Sequence, residues 1–290
     1  MNQILIICGP TATGKTKLAI KLARKFNGQI ISADSRQVYQ GMDIVTGKDL
    51  PVLRQANIKI LGLDLVKPDQ EFSVAHFVNF AQPLIAKIHA RNQLPIFVGG
   101  TGLYLNALIK PIGTIDIKPN LSLRKKLELK TVLQLQQQLL QANPAKFSRM
   151  NHSDQLNPRR LIRALEISLR GVSLKAVAPN LQPLWLGLTT DLKILDQKIA
   201  ARVKQRHKAG AIKEWQNLKK RYSIALPSMS AIGYRQLPDI AAWLKAEQQY
   251  CRRQLTWFKS NSAIHWFDIT TGYYQPVVNL IQSWYTNKYD

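Results

Sequence analysis

The chain has 290 residues, of which 46% are hydrophobic, so it can bury a sizeable core as one large domain or as a core with an insertion. Its 41 Lys and Arg against 17 Asp and Glu give a formal net charge of +24, which indicates a polyanionic partner or, alternatively, a generically basic proteome. Two cysteines indicate neither a disulfide framework nor a zinc site, and no apolar run approaches the roughly 20 residues of a membrane span. We therefore expect a cytoplasmic protein that is neither secreted nor membrane-embedded.

The first elements are a strand, a phosphate-binding loop and a helix. An apolar run over residues 4–8 leads into Gly9-Pro10-Thr11-Ala12-Thr13-Gly14-Lys15-Thr16, and a helical pattern follows over residues 17–23. This is a complete P-loop with both flanks correct, which argues against a chance Gly-rich turn. Its glycines let the backbone wrap around an anion, Lys15 adds a charge, and the Thr16 hydroxyl can reach Mg²⁺. The sequence predicts a site for a phosphorylated ligand, although the motif alone does not name the reaction.

Further apolar runs predict more buried parallel strands. They lie at residues 29–32, 59–65, 95–98 and 184–188, and a candidate final strand lies at residues 264–267. Ser73 can cap a helix that extends to His89, in which Pro83 predicts a kink or break. Helical patterns between several strands indicate an α/β fold with a P-loop NTPase-like parallel sheet core.

The character of the chain changes at about residue 113. From there to about residue 180 the sequence is helical, rich in Gln and Leu, and basic, without a strand pattern. Residues 118–170 hold eleven Lys or Arg and three acidic residues, and residues 198–221 hold nine and one. Clustered positive charge favours a nucleic-acid surface. The predicted division is a first core part over 1–112, a helical basic insertion over 113–180, and a mostly helical second core part over 181–290.

Two polar residues that follow predicted strands are candidates for chemistry. Asp34 comes after the second strand, at the edge where open α/β sheets build their sites, and can serve as a base or a metal ligand. Capping of a following helix is an equally good interpretation of an Asp in this position. Thr101, within Gly99-Gly100-Thr101-Gly102, offers a hydroxyl at the mouth of the next strand, and a plain helix cap is again the alternative.

Several separated motifs then point to one family. They are the P-loop at residues 9–16, ISADSRQVYQGMDI at 31–44, LPIFVGGTGLYLNAL at 94–108, PSMSAIGYRQ at 227–236 and RRQLTWF at 252–258, with RRLIRALE at 159–166 in support. Through most of its length the chain resembles the tRNA dimethylallyltransferases, also called tRNA isopentenyltransferases. The resemblance implies transfer of a dimethylallyl group from its diphosphate to the exocyclic amine of the adenosine 3′ of the anticodon, which gives N6-isopentenyladenosine.

The resemblance also implies roles for individual residues. Asp34 matches the family's base, Thr101 a residue near the diphosphate and the amine, and Arg202 an arginine that faces the diphosphate. Arg202 lies in a basic helix, where a solvated or tRNA-facing role is the alternative. The residues that would bind the diphosphate are Gly9, Thr11, Ala12, Thr13, Gly14, Lys15 and Thr16, the last of which would also help to position magnesium.

A set of tRNA contacts follows from the same resemblance. Its members are Asp34, Ser35, Arg36, Gln37, Thr101, Arg124, Arg159, Arg160, Leu161, Ile162, Arg163, Gly233, Tyr234 and Arg235, with Gln236 beside them. A surface charge on a helix is the alternative for Arg124. The partners implied are the tRNA anticodon stem-loop and dimethylallyl diphosphate, with the insertion clamping the stem and the enzyme acting as a monomer.

The chain departs from the family pattern in three places. Only residues 237–252 separate the last two motifs, about one helix fewer than in most members. Glu247-Gln248 stands where the family has a Thr-Arg pair, and Lys59-Ile60-Leu61-Gly62 stands where it has a histidine pair. These differences could weaken the grip on tRNA or alter the substrate range.

Three other functions are compatible with parts of the sequence. An adenylate isopentenyltransferase would share the P-loop and the Asp34 motif, but a small nucleotide needs no basic insertion. A P-loop kinase or ATPase would need a hydrolytic or phosphoryl-accepting arrangement that the sequence does not identify. A non-catalytic tRNA-binding relic is the third, and the retained Lys15, Thr16, Asp34 and Thr101 argue against it.

Overall fold

The computed structural model describes residues 2–110, 112–115, 117–170 and 179–286. Among these residues, six strands form one sheet in the order β3-β2-β4-β1-β5-β6, and every neighbouring pair is parallel. The strands are β1 (Gln3–Cys8), β2 (Gly28–Ser32), β3 (Ile60–Leu61), β4 (Leu94–Val98), β5 (Gln182–Thr189) and β6 (Ile264–Asp268). The α/β prediction is confirmed, including the final strand.

Helices connect the strands and cover the sheet. Those before β5 are α1 (Lys15–Lys25), α2 (Leu50–Ala56), α3 (Val74–Ala90), α4 (Gly102–Ile109), α5 (Leu121–Glu128), α6 (Val132–Ala142), α7 (Pro144–Ser148), α8 (His152–Gln155) and α9 (Pro158–Ser168). Those after it are α10 (Leu192–Lys208), α11 (Ala211–Arg221), α12 (Ile240–Lys259) and α13 (Tyr274–Thr286), with a 3₁₀ turn at Ser228–Ser230. No helix in the described ranges has the length and apolar character needed to cross a membrane.

The central strand β1 explains the position of the core. All six of its residues are buried, because β4 and β5 flank it and helices pack on both faces of a parallel sheet. Leu5 and Ile7 face one apolar cluster with α1 and α13, whereas Ile4 and Ile6 face another with α3 and α4.

Two expectations about local structure differ from the structure. The strand expected over residues 59–65 is confined to Ile60–Leu61, because Gly62 has a φ of +89° and turns the chain away from the ladder. Of the kink or break expected at Pro83, the break is wrong, since α3 runs through this residue from Val74 to Ala90, and the kink stays a prediction. Pro83 and Asn79 are both exposed, so the carbonyl that loses its helical partner lies on the solvent side.

The chain divides into two compact units. The first comprises Met1–Lys110 with Pro179–Asp290 and contains the sheet. The second comprises Pro111–Ala178, where the sequence predicts an insertion over 113–180. Within the second unit α5, α6 and α9 supply most of the buried residues of a small apolar core, in which Leu135, Leu139 and Leu161 have no solvent exposure. Burial on three helices gives this unit a hydrophobic basis for its own compactness.

Candidate active site

The candidate site residues that follow β1, β2 and β4 lie together where these three strands end. The P-loop follows β1, Asp34 follows β2 and the Gly99-Gly100 pair follows β4, so the strand order brings all three to one edge of the sheet. A cleft of about 1570 Å³ lies there. Residues 43–49 from the loop before α2, together with residues from α2, α10 and α12, add to its walls.

The P-loop has the backbone geometry of an anion cradle. Ala12 and Gly14 have φ values of +65° and +84°, and α1 begins directly after Gly14 without a side-chain cap. Its first amides therefore remain available to a ligand. Gly9 is required for a different reason, because a Cβ there would lie 2.3 Å from the Leu188 carbonyl oxygen.

The ammonium group of Lys15 lies against the P-loop, and its pKa is lowered. Its Nζ donates to the Pro10 carbonyl oxygen over 2.6 Å. Burial lowers the pKa of Lys15 to about 8, and the positive charge of Arg202 acts in the same direction. A bound anion would relieve both effects, so the site is suited to a ligand with multiple negative charges.

Arg202 and Arg206 lie one turn apart on α10 and have different partners. Arg202 Nη1 donates to the Thr11 hydroxyl over 2.7 Å, which places this guanidinium against the P-loop. Arg206 is buried and donates to the Val45 carbonyl oxygen and the Glu247 carboxylate over 3.1 and 3.3 Å. Burial, together with Arg202, lowers the pKa of Arg206 to about 10. Arg206 thus supports the cleft wall, while Arg202 adds positive charge at the phosphate cradle.

Asp34 caps a turn and also lines the cleft, and its role as a base or a metal ligand stays a prediction. Its Oδ1 accepts from the Arg36 and Gln37 amides over 2.8 and 3.4 Å, so the carboxylate caps the turn that follows β2. Its position in the cleft wall also exposes it to a ligand. A carboxylate has about four lone-pair sites, so capping leaves capacity to accept a proton or to contact a metal.

Thr101 is joined to the Asp34 turn and does not cap its own helix. It stands at the N-cap of α4, but its side chain makes no capping hydrogen bond. Its hydroxyl oxygen accepts from the Ser35 amide over 3.0 Å and lies 3.4 Å from the Ser35 hydroxyl. The loops after β2 and β4 are therefore connected beside the cleft.

The remaining predicted tRNA contacts of the first unit are divided between the cleft and the interior. Arg36 donates to the Pro227 carbonyl oxygen over 2.9 Å, and Gln37 donates to that of Gly47 over 3.0 Å. Tyr234 is buried and its hydroxyl donates to Glu214, whereas Arg235 is exposed and lines the cleft. Gln236, the next residue, lines the cleft as well, so the side chains of both Arg235 and Gln236 can meet a ligand.

The predicted tRNA residues of the second unit have contrasting environments. Arg159 and Arg160 are exposed on α9, where Arg160 pairs with Asp154. Leu161 and Ile162 are buried in the apolar core, which leaves only their backbone for contact with tRNA. Arg163 donates to the Glu166 carboxylate and to the carbonyl oxygens of two loop residues, Thr114 and Ile117.

Glu166 organises the basic residues around it. Its side chain has no solvent exposure and accepts from Arg124 over 2.9 Å and from Arg163 over 2.5 Å. Burial opposes its ionisation, but hydrogen bonds from Arg124, the Asn120 amide and Arg163 outweigh this effect and hold the pKa of Glu166 at about 2. Arg124 and Arg163 therefore have a structural role in the second unit, and their contact with tRNA stays a prediction.

The structure brings further residues to the cleft that the sequence did not single out. Tyr250, Arg253 and Gln254 line it from α12, and Arg206 lines it from α10. Burial and the nearby negative charge of Asp34 raise the pKa of Tyr250, and the Arg253 guanidinium lies 5.8 Å from its ring centroid. The RRQLTWF motif indicated that this helix belongs to the functional part of the family pattern. The motif did not indicate which of its side chains face the cleft.

The donor groups of the cleft fit magnesium better than a transition metal. Among the described residues no group of three or more His, Cys, Asp or Glu side chains could hold a metal ion. The Thr16 hydroxyl and the Asp34 carboxylate line the same cleft as the P-loop. One or two protein oxygens combined with ligand phosphates and water are a common arrangement for Mg²⁺.

Comparison with known proteins places the chain in a family. The family model IPP transferase matches residues 37–261, and a second, Isopentenyl transferase, matches residues 2–57. The chain is 37% identical to the tRNA dimethylallyltransferase of Acaryochloris marina, with 93% of each protein covered. It is also 37% identical to that of Levilactobacillus brevis, with 99% of this chain and 100% of the relative covered.

Solved structures agree with the sequence relatives. A full-length tRNA isopentenylpyrophosphate transferase from Bacillus halodurans has a TM-score of 0.73 and 34% identity, covering 98% of this chain and 96% of its own. A eukaryotic dimethylallyltransferase acting on tRNA has a TM-score of 0.84 and 25% identity, covering 99% of this chain and 80% of its own. The predicted resemblance is confirmed: with a matching family model over residues 37–261 and relatives that align over more than nine-tenths of its length, the protein belongs to the IPP transferase family.

Proposed function

We propose that the protein transfers the dimethylallyl group of dimethylallyl diphosphate to the exocyclic amine of the adenosine 3′ of the tRNA anticodon. One observation carries this proposal: the anion cradle after β1 and the Asp34 carboxylate after β2 share one cleft. Relatives that cover most of the chain are tRNA dimethylallyltransferases by name. Adenylate prenylation and phosphoryl transfer are therefore not favoured.

The P-loop would hold the diphosphate as a leaving group. Lys15 and Arg202 supply positive charge, and the free amides at the start of α1 supply hydrogen-bond donors. During the reaction the bond between the allylic carbon and the diphosphate oxygen breaks, and its electron pair leaves with the diphosphate. Groups that stabilise this developing negative charge lower the barrier, and such stabilisation is commonly the largest catalytic contribution.

Asp34 would act as the general base. The adenine amine is a weak nucleophile because its lone pair is delocalised into the ring. As its nitrogen forms a bond to the allylic carbon, the nitrogen must lose a proton, and the Asp34 carboxylate in the cleft wall can accept it. Thr101 supports this geometry through its hydrogen bond with the Ser35 amide.

Magnesium belongs to the proposal as a partner of the diphosphate. Thr16 is the residue that would hold it, with Asp34 as the nearby carboxylate on the same cleft. When bound, Mg²⁺ would add positive charge against the leaving group.

Recognition of tRNA would depend on positive charge and on access to the target base. The exposed Arg159 and Arg160 belong to the basic second unit, and Arg235 and Arg253 line the cleft of the first. Enzymes that modify a base extrude it from its stack into a pocket. The proposal therefore includes binding of the anticodon stem by the second unit, entry of the flipped adenine into the cleft, and action as a cytoplasmic monomer.

The test is an assay with competing acceptors. Purified protein, magnesium and radiolabelled dimethylallyl diphosphate are incubated with total tRNA, AMP, or an anticodon stem-loop in which guanosine replaces the adenosine 3′ of the anticodon. We expect label in tRNA and none in AMP or in the guanosine stem-loop. Label in AMP would indicate cytokinin synthesis, and label in no acceptor would overturn the proposal.

A further inference from the structure

Gln254 on α12 connects two loops of the cleft. This residue is buried, with 5% of its surface exposed. Its Oε1 accepts from the Thr11 amide over 2.9 Å, and its Nε2 donates to the Gly100 carbonyl oxygen over 3.0 Å. One buried amide therefore holds the P-loop after β1 against the turn after β4.

The two partners determine which chemical group can occupy this position. One partner is a backbone N–H and the other a backbone carbonyl, so the bridging side chain must accept at one atom and donate at the other. A primary amide does both. A carboxylate can only accept, and a leucine of similar size can do neither, which would leave two backbone groups without partners inside the protein.

The contact at Gly100 is also sterically tight. A Cβ at Gly100 would lie 2.1 Å from Gln254 Nε2, so glycine is the residue that allows this side chain to approach. The other partner, Thr11, is held at a second point by Arg202, which donates to its hydroxyl over 2.7 Å. The bridge is thus built into a fixed position at both ends.

The bridge continues to the proposed base. Gly100 precedes Thr101, whose hydroxyl oxygen accepts from the Ser35 amide over 3.0 Å. Ser35 follows Asp34 directly in the sequence. A continuous path of hydrogen bonds and short backbone segments therefore connects the diphosphate cradle to the carboxylate.

We propose that Gln254 is a positioning residue that fixes the P-loop relative to the Asp34 turn and so sets the approach of the amine to the allylic carbon. The inference rests on the proposed function. Both polar ends of the amide are used by the protein, so Gln254 acts through Thr11 and Gly100. Because displacement of reacting groups by about 1 Å can reduce a rate about 100-fold, loss of the bridge should chiefly affect kcat.

The first test is kinetic and uses Gln254→Leu with Gln82→Leu as a matched control at an exposed position of α3 outside the cleft. We expect Gln254→Leu to lower kcat by about 10- to 100-fold, while the KM for dimethylallyl diphosphate changes by less than about 3-fold. The Gln82→Leu control should match the wild type. A Gln254→Leu enzyme with wild-type kcat, or with a raised KM alone, would overturn the inference. An inactive wild type would instead reject the proposed function.

The second test uses Gln254→Glu and is informative even if Gln254→Leu does not fold. A protonated carboxyl group resembles the amide, since its O–H can donate to Gly100 and its carbonyl can accept from Thr11. An ionised one repels the Gly100 carbonyl oxygen. We expect the activity of Gln254→Glu relative to wild type to fall at least about 5-fold between about pH 5.5 and pH 8.5. A ratio that stays constant over this range would overturn the inference.

Discussion

Arg202 donates a hydrogen bond to the hydroxyl of Thr11 over 2.7 Å, although 191 residues separate them in the sequence. The contact brings α10 onto the P-loop and adds a second positive charge beside Lys15. That charge helps to lower the pKa of Lys15. The proposed diphosphate site therefore depends on residues from both parts of the first unit.

Replacement of Arg202 by Gln should impair use of the donor. The variant keeps a hydrogen-bond donor but loses the charge that faces the P-loop, so we expect kcat/KM for dimethylallyl diphosphate to fall by about 100-fold. Affinity for tRNA should change little. Lys204→Gln removes one charge from an exposed position of the same helix and serves as the control. Equal losses in the two variants would indicate a general electrostatic effect.

Binding of the donor should be coupled to protonation of Lys15. The pKa of Lys15 in the free enzyme is about 8, below its usual value of 10.5, so the ammonium group begins to lose its proton above neutral pH. A bound diphosphate raises this pKa again. At pH 8 we expect uptake of about half a proton per donor bound, and almost none at pH 6.5.

Calorimetry in buffers of different ionisation enthalpy measures this uptake directly. Lys15→Met should abolish it and weaken binding of the donor. If proton uptake at pH 8 persists in Lys15→Met, another group is responsible for it.

Asp34→Asn should separate the two roles of this side chain. The amide oxygen can still accept from the Arg36 and Gln37 amides, so the turn should keep its conformation. The amide cannot serve as a base, and general-base catalysis typically contributes about 10²- to 10⁴-fold. We expect a loss of kcat in that range with affinity for tRNA within about 3-fold of wild type. Single-turnover prenylation and filter binding measure the two quantities, and unchanged turnover would remove Asp34 from the mechanism.

The elements near this site differ in how far the sequence predicts them. The P-loop, the start of α3 after Ser73 and the position of Asp34 depend on short-range patterns, and the structure has each of them where the residues indicate. The Pro83 break was wrong because local propensity does not reveal that the affected carbonyl lies on the solvent side of α3.

Local sequence patterns do not predict contacts between segments that are distant in the chain. Gln254 lies 243 residues from Thr11, and nothing in the RRQLTWF motif states which of its side chains turns inward. Glu247, a departure from the family pattern, is the buried partner of Arg206. For Arg163 a local signal of the ion pair did exist, since Glu166 lies three residues further along the same helix. The resemblance to the family favoured a tRNA contact for Arg163 instead.

Glu166→Gln should destabilise the second unit. The change leaves Arg124 and Arg163 without their buried carboxylate, and we expect a loss on the order of 2–4 kcal/mol at neutral pH, less than for a fully buried pair because both arginines are partly exposed. Hydrogen exchange in α5 and α9 measures the effect. Glu128→Gln, at an exposed position of α5, is the control.

The pH dependence of this effect follows from the depressed pKa of Glu166. The stability contributed by the ionised form of Glu166 is complete above about pH 4.5, which is the ordinary pKa of a glutamate. This stability is lost as the pH falls through the lowered pKa of about 2. The difference between wild type and Glu166→Gln should therefore shrink over this interval. A difference that stays constant down to pH 2 would show that ionisation of Glu166 is not its source.

The exposed arginines of α9 should carry part of the affinity for tRNA. Removal of one ionic interaction with a phosphate reduces the slope of log K against log salt concentration by about 1. The double variant Arg159→Gln with Arg160→Gln should therefore reduce this slope by up to about 2. It should also weaken tRNA binding at low salt by about 10-fold or more. Lys25→Gln with Arg91→Gln is the matched control, because these exposed residues lie where α1 and α3 end, at the sheet edge opposite the cleft. If the slope changes equally in both double variants, or in neither, α9 is not a specific tRNA surface.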